Sequence, residues 1–290
     1  MAEAGLALEA ASLRILAPLR GVTIRKFREV FAAEIADAGF NEVVTPFISV
    51  TRGVDPLKDR EIKNTAPGPL RVTPQFIGKD PQALRIALAR IKSAGFETAD
   101  FNCGCPFPMV RNKFRGAGLL LKKDLLRAML ECGCEVMGEG RFSVKARLGV
   151  NSPDELLALM PLFNEFPLRF LCVHARTARQ MYTGECVLDG FEAVRKVANM
   201  PVVYNGDAQL DAPSPVMIGR AFVRSLGARP DSRDLLMKYI DASIAELGSD
   251  RPVVGRMKEL VSYWKDIPRW RRFWPVVKIS RSVPELLAAI

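Results

Sequence analysis

Two thiols stand close together in the stretch Asp100-Phe101-Asn102-Cys103-Gly104-Cys105-Pro106. A thiol can serve as a nucleophile, a metal ligand or a proton donor. Residues 98–102 read as a short strand, and the chain turns immediately after it. Gly104 permits a tight or left-handed backbone, and Pro106 fixes φ and cannot extend a ladder. A thiol is therefore presented at the carboxyl end of a strand, with the Asn102 amide just before it. In a parallel α/β fold that is the end where ligands bind. Both cysteines would also serve as small buried fillers, because free Cys is among the most buried residue types. The rigid Asn-Cys-Gly-Cys-Pro turn favours chemistry for Cys105.

Other groups capable of chemistry fall at or just beyond predicted strands. They are Pro18-Leu19-Arg20, Gln75, Lys145 with Arg147, His174 with Arg176, Asn205-Gly206-Asp207 and Gly219-Arg220. Lys145 interrupts a strand of Val, Ala and Leu, and an ammonium inside a barrel is costly without an anion. His174 is the only histidine. The glycine turns at Gly206 and Gly219 can offer backbone N–H groups to a phosphate, and Arg220 adds a fixed positive charge. The basic run from Arg111 to Arg115 follows the reactive turn and suits a nucleic-acid contact.

Those groups need a frame. Strands are expected at 14–17, 42–45, 70–76, 98–102, 142–148, 170–174, 202–205 and 216–218, and helices over 24–38, 81–94, 119–131, 153–163 and 191–198. Ser152 is the expected cap of the helix that starts at 153. Alternation of strand and helix implies a parallel sheet, and eight strands imply a (β/α)8 TIM barrel. Pro74 argues against full ladder pairing in the third strand. The connection 47–69 is long enough to be functional. Between the Asn-Gly-Asp turn and the last strand lie only residues 208–215, whereas a crossover with its helix needs about 10–12 residues. The seventh helix is therefore expected to be shortened or missing. From about 231 the pattern turns helical, over 235–247, 254–264 and 283–290, with Lys265, Arg269, Trp270, Arg271, Arg272, Phe273 and Trp274 interleaved. The expected division is a catalytic barrel over 1–228 and a small helical domain over 229–290.

Composition limits the classes. The 290 residues are 49% hydrophobic and 26% charged, as in a soluble globular enzyme. An excess of 42 Lys+Arg over 32 Asp+Glu gives a net charge of +10, which favours a polyanionic partner, nucleic acid first. No apolar run reaches the ~18 residues of a membrane span. The N-terminus lacks the basic region of a secretory signal, so a cytoplasmic location is expected. The six cysteines include two Cys-Gly-Cys pairs, but zinc sites favour two to four residues between paired ligands. No metal site is expected.

Taken together, these pieces resemble the tRNA-dihydrouridine synthases, closest to the bacterial subgroup that modifies uridine 16 of the D-loop. The matching segments are Ala17-Pro-Leu19, Gln75-Phe-Ile-Gly78, Asn102-Cys-Gly-Cys-Pro106, Ser143-Val-Lys-Ala-Arg-Leu-Gly149, Val173-His-Ala-Arg-Thr177, Asn205-Gly-Asp207 and Val216-Met-Ile-Gly-Arg220. The tail segment Gly255-Arg-Met-Lys-Glu-Leu-Val-Ser-Tyr-Trp264 resembles the helical domain of that subgroup. The resemblance implies an FMN enzyme that reduces uridine in tRNA to dihydrouridine, with NADPH recharging the flavin. It implies Cys105 as the proton donor. It implies Pro18, Leu19, Arg20, Gln75, Lys145, His174, Asn205, Gly206, Asp207, Gly219 and Arg220 around the flavin. Asn102 and Arg176 would orient the base, and Arg271 and Arg272 would contact tRNA. A monomer is expected.

Three departures from the family pattern stand out. Leu19 replaces the usual Met, Asp189 is followed by Gly190 rather than Trp, and the connection 208–215 is short. Two other readings remain open: an RNA-binding relative that has lost its flavin, and an FMN oxidoreductase acting on a small molecule.

Overall fold

The computed structural model describes residues 11–63 and 70–290. The first ten residues, on which the expectation about a leader rests, and residues 64–69 of the long connection lie outside the described residues. Ten parallel segments make the sheet: β1 (Arg14–Leu16), β2 (Glu42–Val44), β3 (Ile48–Ser49), β4 (Arg71–Thr73), β5 (Gln75–Ile77), β6 (Ala99–Cys103), β7 (Phe142–Gly149), β8 (Leu171–Thr177), β9 (Val202–Asn205) and β10 (Val216–Ile218). Their order is β3-β5-β6-β7-β8-β9-β10-β1-β2-β4.

The two ends of that order belong to the same pair of strands. Pro74 has no N–H and splits one strand into β4 and β5, as the sequence suggests. Thr45 bridges the break, because its N–H donates to the Thr73 carbonyl at 3.0 Å and its Oγ1 accepts the Gln75 N–H at 3.1 Å. β2 with β3, and β4 with β5, are thus each one strand. The sheet closes as an eight-stranded parallel barrel.

Side-chain alternation sorts every strand into an outer apolar face and an inner face. On β6, Ala99, Phe101 and Cys103 pack outward against the helices Pro81–Ser93 and Lys123–Met137. Asp100 and Asn102 take the opposite parity. On β7, Phe142, Val144, Ala146 and Leu148 join the outer layer, leaving Ser143, Lys145 and Arg147 inside. On β8, Leu171, Val173 and Ala175 face out, leaving Cys172, His174 and Arg176 inside. Leu13, Ile15, Ala17, Val44, Phe170, Cys172, Val203 and Met217 fill the barrel's apolar interior. At its amino end, Arg169 holds Glu42 through two bonds of 2.8 and 2.9 Å.

No helix lies between β9 and β10, in line with the short connection. Arg14 occupies this region instead. It donates to the Ala38 carbonyl at 3.1 Å, to the Ala212 carbonyl at 2.9 Å and to the Leu210 carbonyl. The second strand is followed by a single 3-10 turn, Pro56–Lys58, among the described residues. Glu61 anchors this connection by pairing with Arg28 at 3.1 Å.

Ser152 caps its helix as expected, its Oγ accepting the Asp154 N–H at 3.3 Å, while Glu155 reaches back and accepts the N–H groups of Val150, Asn151 and Ser152 at 2.6, 3.2 and 3.3 Å. One local expectation needs correction. The helix expected at 119–131 begins at Lys123 and extends to Met137, because Gly116–Leu121 forms a 3-10 turn first.

After Arg229 the chain is helical over Ser232–Leu247, Asp250–Ser262, Pro268–Arg271, Trp274–Ile279 and Val283–Ala289. These helices share one core with the barrel's first and last helices. Tyr239 lies 6.0 Å from Phe27 and 5.3 Å from Phe31, measured between ring centres. Trp264 and Trp270 donate their indole N–H groups to the carbonyls of Val223 and Gly227 in the last barrel helix, Arg220–Ala228.

Candidate active site

Strand parity and register bring the inward polar groups to the carboxyl end of the barrel. Asn102 is level with Lys145, Arg147 with His174, and His174 with Asn205. A mouth forms there, lined by side chains of β6 to β9 and of the turns that follow β1, β6, β9 and β10.

The Cys105 turn is built from Asn102. Its Oδ1 accepts the N–H groups of Gly104 at 3.1 Å and Cys105 at 2.8 Å. Arg147 Nε donates to the Gly104 carbonyl at 3.0 Å, and the Ala117 N–H donates to the Cys105 carbonyl at 3.1 Å. Gly116 has φ of 54°, and a Cβ there would lie 2.7 Å from the Cβ of Cys105. Only glycine allows the chain to pass so close behind the turn. Cys103 is fully buried in the outer apolar layer, and the same burial pushes its thiol well up. Cys105 lies on the mouth side near Arg20 and Arg147, and burial raises its thiol despite those charges. At neutral pH it stays protonated.

Lys145 Nζ donates to Asn205 Oδ1 at 2.8 Å, and Asn205 Nδ2 donates to the Met217 carbonyl at 2.8 Å. Lys145 is half-buried at the mouth, and desolvation lowers its pKa. His174 is buried among Lys145, Arg147, Arg176 and Arg220; desolvation first and these charges next push its pKa far down. Its ring is neutral. Arg176 can only donate and lies 3.3 Å from His174 Nε2, so Nε2 carries the lone pair and Nδ1 the proton.

Asp207, at φ of 45°, bonds both Arg176 and Arg220. Arg176, which hydrogen-bonds it first, together with Arg220 keeps this carboxyl below the usual range. A Cβ on Gly206 would come within 2.8 Å of Cys186 Sγ and 3.2 Å of the His174 ring. Leu19 and Gly219 meet at the rim, with Pro18 half-buried beside Leu19 in the chain; a Cβ on Gly219 would lie 3.1 Å from that of Ala17 and 3.4 Å from Leu19. Arg20 is exposed, with its guanidinium 5.4 Å from the centre of the Phe47 ring. A neighbouring cleft of ≈ 490 Å³ runs from Arg20 and Phe47 to Lys58 and Glu61, and neither Cys105 nor Lys145 lines it.

A dihydrouridine synthase family model matches residues 15–212, the stretch that supplies every one of these mouth residues except Gly219 and Arg220. The chain belongs to the dihydrouridine synthase family. The tRNA-dihydrouridine(16) synthase of Shigella flexneri is 31% identical, over 95% of this chain and 96% of that protein. A probable tRNA-dihydrouridine synthase of Helicobacter pylori is 28% identical, over 86% and 82%. The chain spans 60% of the tRNA-dihydrouridine synthase B of Vibrio vulnificus, at 28% identity. Among solved structures, the barrel resembles the old yellow enzyme homologue of Zymomonas mobilis, with a TM-score of 0.52 at 12% identity over 72% of this chain and 85% of that one. A TM-score of 0.51 relates it to a morphinone reductase variant, at 11% identity over 72% and 83%.

In this member of the family, Gln75 lies behind the mouth residues. Gln75 has no exposed surface, and its amide is taken up by Asp100 at 2.7 Å and Asn102 at 2.8 Å. It supports Asn102, and its Nε2 keeps a second hydrogen beyond the bond to Asp100. Arg271 and Arg272 lie far along the chain, on the helical region, and both are exposed. Arg272 stacks 4.6 Å from the centre of the Phe273 ring. Arg269, in the same basic stretch, is occupied with the carbonyls of Arg229 and Pro230 at 2.7 and 2.8 Å.

Tyr182 was not visible as a site residue. Arg147 and Arg220 lie 5.2 and 5.4 Å from its ring centre, and His174 lies 6.2 Å away. It sits in a loop with no motif of its own. Asp100 was also missed, although it opens the reactive stretch.

The residues present fit FMN. Lys145, a half-buried ammonium, is hydrogen-bonded to a neutral amide, and four arginines stand around the same mouth. The carboxylate at the rim, Asp207, is shared between two of them. That donor set leaves an excess of positive charge for a phosphate and an electron-rich ring.

Proposed function

We propose that the protein reduces uridine in the D-loop of tRNA to 5,6-dihydrouridine, with FMN as cofactor and NADPH as reductant. The observation that carries this reading is a protonated, buried thiol at Cys105 held beside a cationic mouth. When bound, FMN supplies the hydride for C6 of the uracil. Lys145 and Asn205 would hold the flavin's pyrimidine edge, and the Lys145 charge would favour negative charge there. Gly206, Gly219 and Arg220, with Asp207 adjusting the Arg220 charge, would receive the phosphate. Pro18, Leu19 and Arg20 would close one side, and His174, neutral, would accept or donate without adding charge.

Cys105 would give its proton to C5 of the base. The Asn102 amide retains one Nδ2 hydrogen beyond its bond to Gln75, available for a uracil oxygen. Arg176 would help to orient the base. A uridine must leave its stack to reach the mouth. Beside the turn, Phe107 and Met109 are 45% and 75% exposed, next to Arg111 and Lys113, an arrangement suited to a polyanion with stacking bases. Residues 229–290, with Arg271 and Arg272, would form the tRNA-binding domain of a cytoplasmic monomer. The similarity to a tRNA-dihydrouridine(16) synthase over nearly both chains supports position 16 as the target.

The first test is the visible spectrum of the purified protein. A yellow protein with non-covalent FMN supports the proposal. A protein that stays colourless after incubation with excess FMN overturns it and favours RNA binding without flavin.

A further inference from the structure

Behind the Cys105 turn runs an unbroken chain of buried amides. Ser143 Oγ donates to Asp100 Oδ1 at 2.7 Å, and Gln75 Nε2 donates to Asp100 Oδ2 at 2.7 Å. Gln75 Oε1 accepts from Asn102 Nδ2 at 2.8 Å. Asn102 Oδ1 accepts the backbone N–H groups of Cys105 and Gly104. Asp100 and Gln75 have no exposed surface, and Asn102 is 7% exposed.

Both ends of this chain have a fixed polarity. An ionised carboxylate only accepts, and a backbone N–H only donates. Two primary amides join them, and each must point its NH2 group toward the carboxylate. A protonated Asp100 carries a donor instead. Gln75 can then turn its oxygen to Asp100 and its NH2 to Asn102. Asn102 must turn in response, and its NH2 would face two N–H donors.

We propose that Asp100 is a positioning residue whose negative charge orients Gln75 and Asn102 and thereby holds the Cys105 turn. This deepens the reading of Cys105 as proton donor and rests on it for its functional meaning only. Burial raises the Asp100 pKa to about 6, against the bonds from Ser143 and Gln75 and the charge of Lys145; Glu42 raises it further. The other titratable groups facing it are the thiols of Cys103 and Cys172, both held neutral by burial. Near neutral pH Asp100 is mainly ionised, and the chain is set as observed.

The test is amide hydrogen exchange at Gly104 and Cys105 in the full-length protein, expressed as protection factors. It needs no activity and so can fail independently of the proposed reaction. In the wild type, protection at both amides should fall about tenfold between pH 7.5 and pH 5, while that of the neighbouring Phe101 and Val144 amides holds. Asp100→Asn should show the low protection at both pH values. Adding Asn102→Asp to Asp100→Asn moves the carboxylate to the other end: the bonds between residues 100 and 75 and between 75 and 102 reverse, and residue 102 still accepts both backbone N–H groups. The double variant should regain protection and lose the transition near pH 6. A flat wild-type profile together with full protection in Asp100→Asn overturns the proposal. So does a double variant that folds, by its circular dichroism, but stays unprotected, because simple loss of packing would not be repaired by transposing the charge.

Discussion

Asn102 Oδ1 lies 2.8 Å from the backbone nitrogen of Cys105, and this bond separates the fates of the two thiols. Cys103 continues the strand and points outward into the apolar layer. Cys105 is lifted off the strand and turned toward Arg147 and the mouth. A shift of two residues along a regular strand would have kept both on one face.

Cys105→Ala should keep its flavin and its reduction by NADPH, but slow uridine reduction by ~10²–10⁴-fold. Cys103→Ala should leave that rate alone and cost about 1 kcal/mol of stability through poorer packing. Single-turnover oxidation of the reduced protein by tRNA measures the first effect, and urea unfolding the second. Slow turnover in Cys103→Ala with normal turnover in Cys105→Ala would reverse the assignment.

Lys145→Met should separate binding from stability. The ammonium is desolvated and bonded to a neutral amide, so its removal should leave the flavin-free protein as stable or more so. FMN affinity should fall by about tenfold, because the flavin would no longer receive a charge-assisted hydrogen bond. Fluorescence titration with FMN and thermal melting test the two halves. An unchanged affinity would remove Lys145 from the flavin site.

Arg14 ties the short connection that replaces the seventh helix to the end of the first helical stretch, by holding the carbonyls of Ala212 and Ala38. Arg14→Ala leaves these carbonyls without their donor and should cost about 1–3 kcal/mol. It should also loosen the segment from Gly206 to Pro215, read as a local loss of exchange protection. Loss of stability without local loosening would mean that the connection is held by other bonds.

Charge reversal of Arg271 and Arg272 should weaken tRNA binding and lower the slope of log affinity against log salt by roughly one for each phosphate no longer neutralised. Flavin content should not change. Arg269 is left out, because it anchors Arg229 and Pro230, and its removal would disturb the helices themselves. Equal affinity and slope in the reversed protein would place the RNA surface elsewhere.

Global stability should respond to Asp100 with the opposite sign to the loop. Its folded pKa of about 6 exceeds the ordinary carboxyl value, so its contribution is full below about pH 4 and is lost as pH rises through 6. Asp100→Asn should flatten that part of the profile of unfolding free energy against pH. An identical profile in wild type and variant would place the Asp100 pKa near its ordinary value.

Much of this was legible because a parallel barrel turns sequence parity into geometry. Lys145 and Arg147, His174 and Arg176, and Asn102 all occupy alternate positions on strands whose intervening residues are apolar. Their convergence follows once the sheet closes. The short 208–215 connection betrayed the missing helix through chain length alone. Three features were hidden for identifiable reasons. The bond between Gln75 and Asp100 was hidden because the two residues, close in space, are remote in sequence. Tyr182 lies in a loop whose path is set by Arg176 bonding the Gly184 carbonyl at 2.7 Å. Arg269 read as one more surface charge, since nothing local reveals that it binds backbone carbonyls from Arg229 and Pro230.

The most direct test is to incubate the FMN-loaded protein and NADPH with tRNA that lacks dihydrouridine, and to map the product by mass spectrometry. The account predicts a gain of two hydrogen atoms at one D-loop uridine, dependent on Cys105. Unmodified tRNA from a protein that holds and reduces its flavin would contradict it.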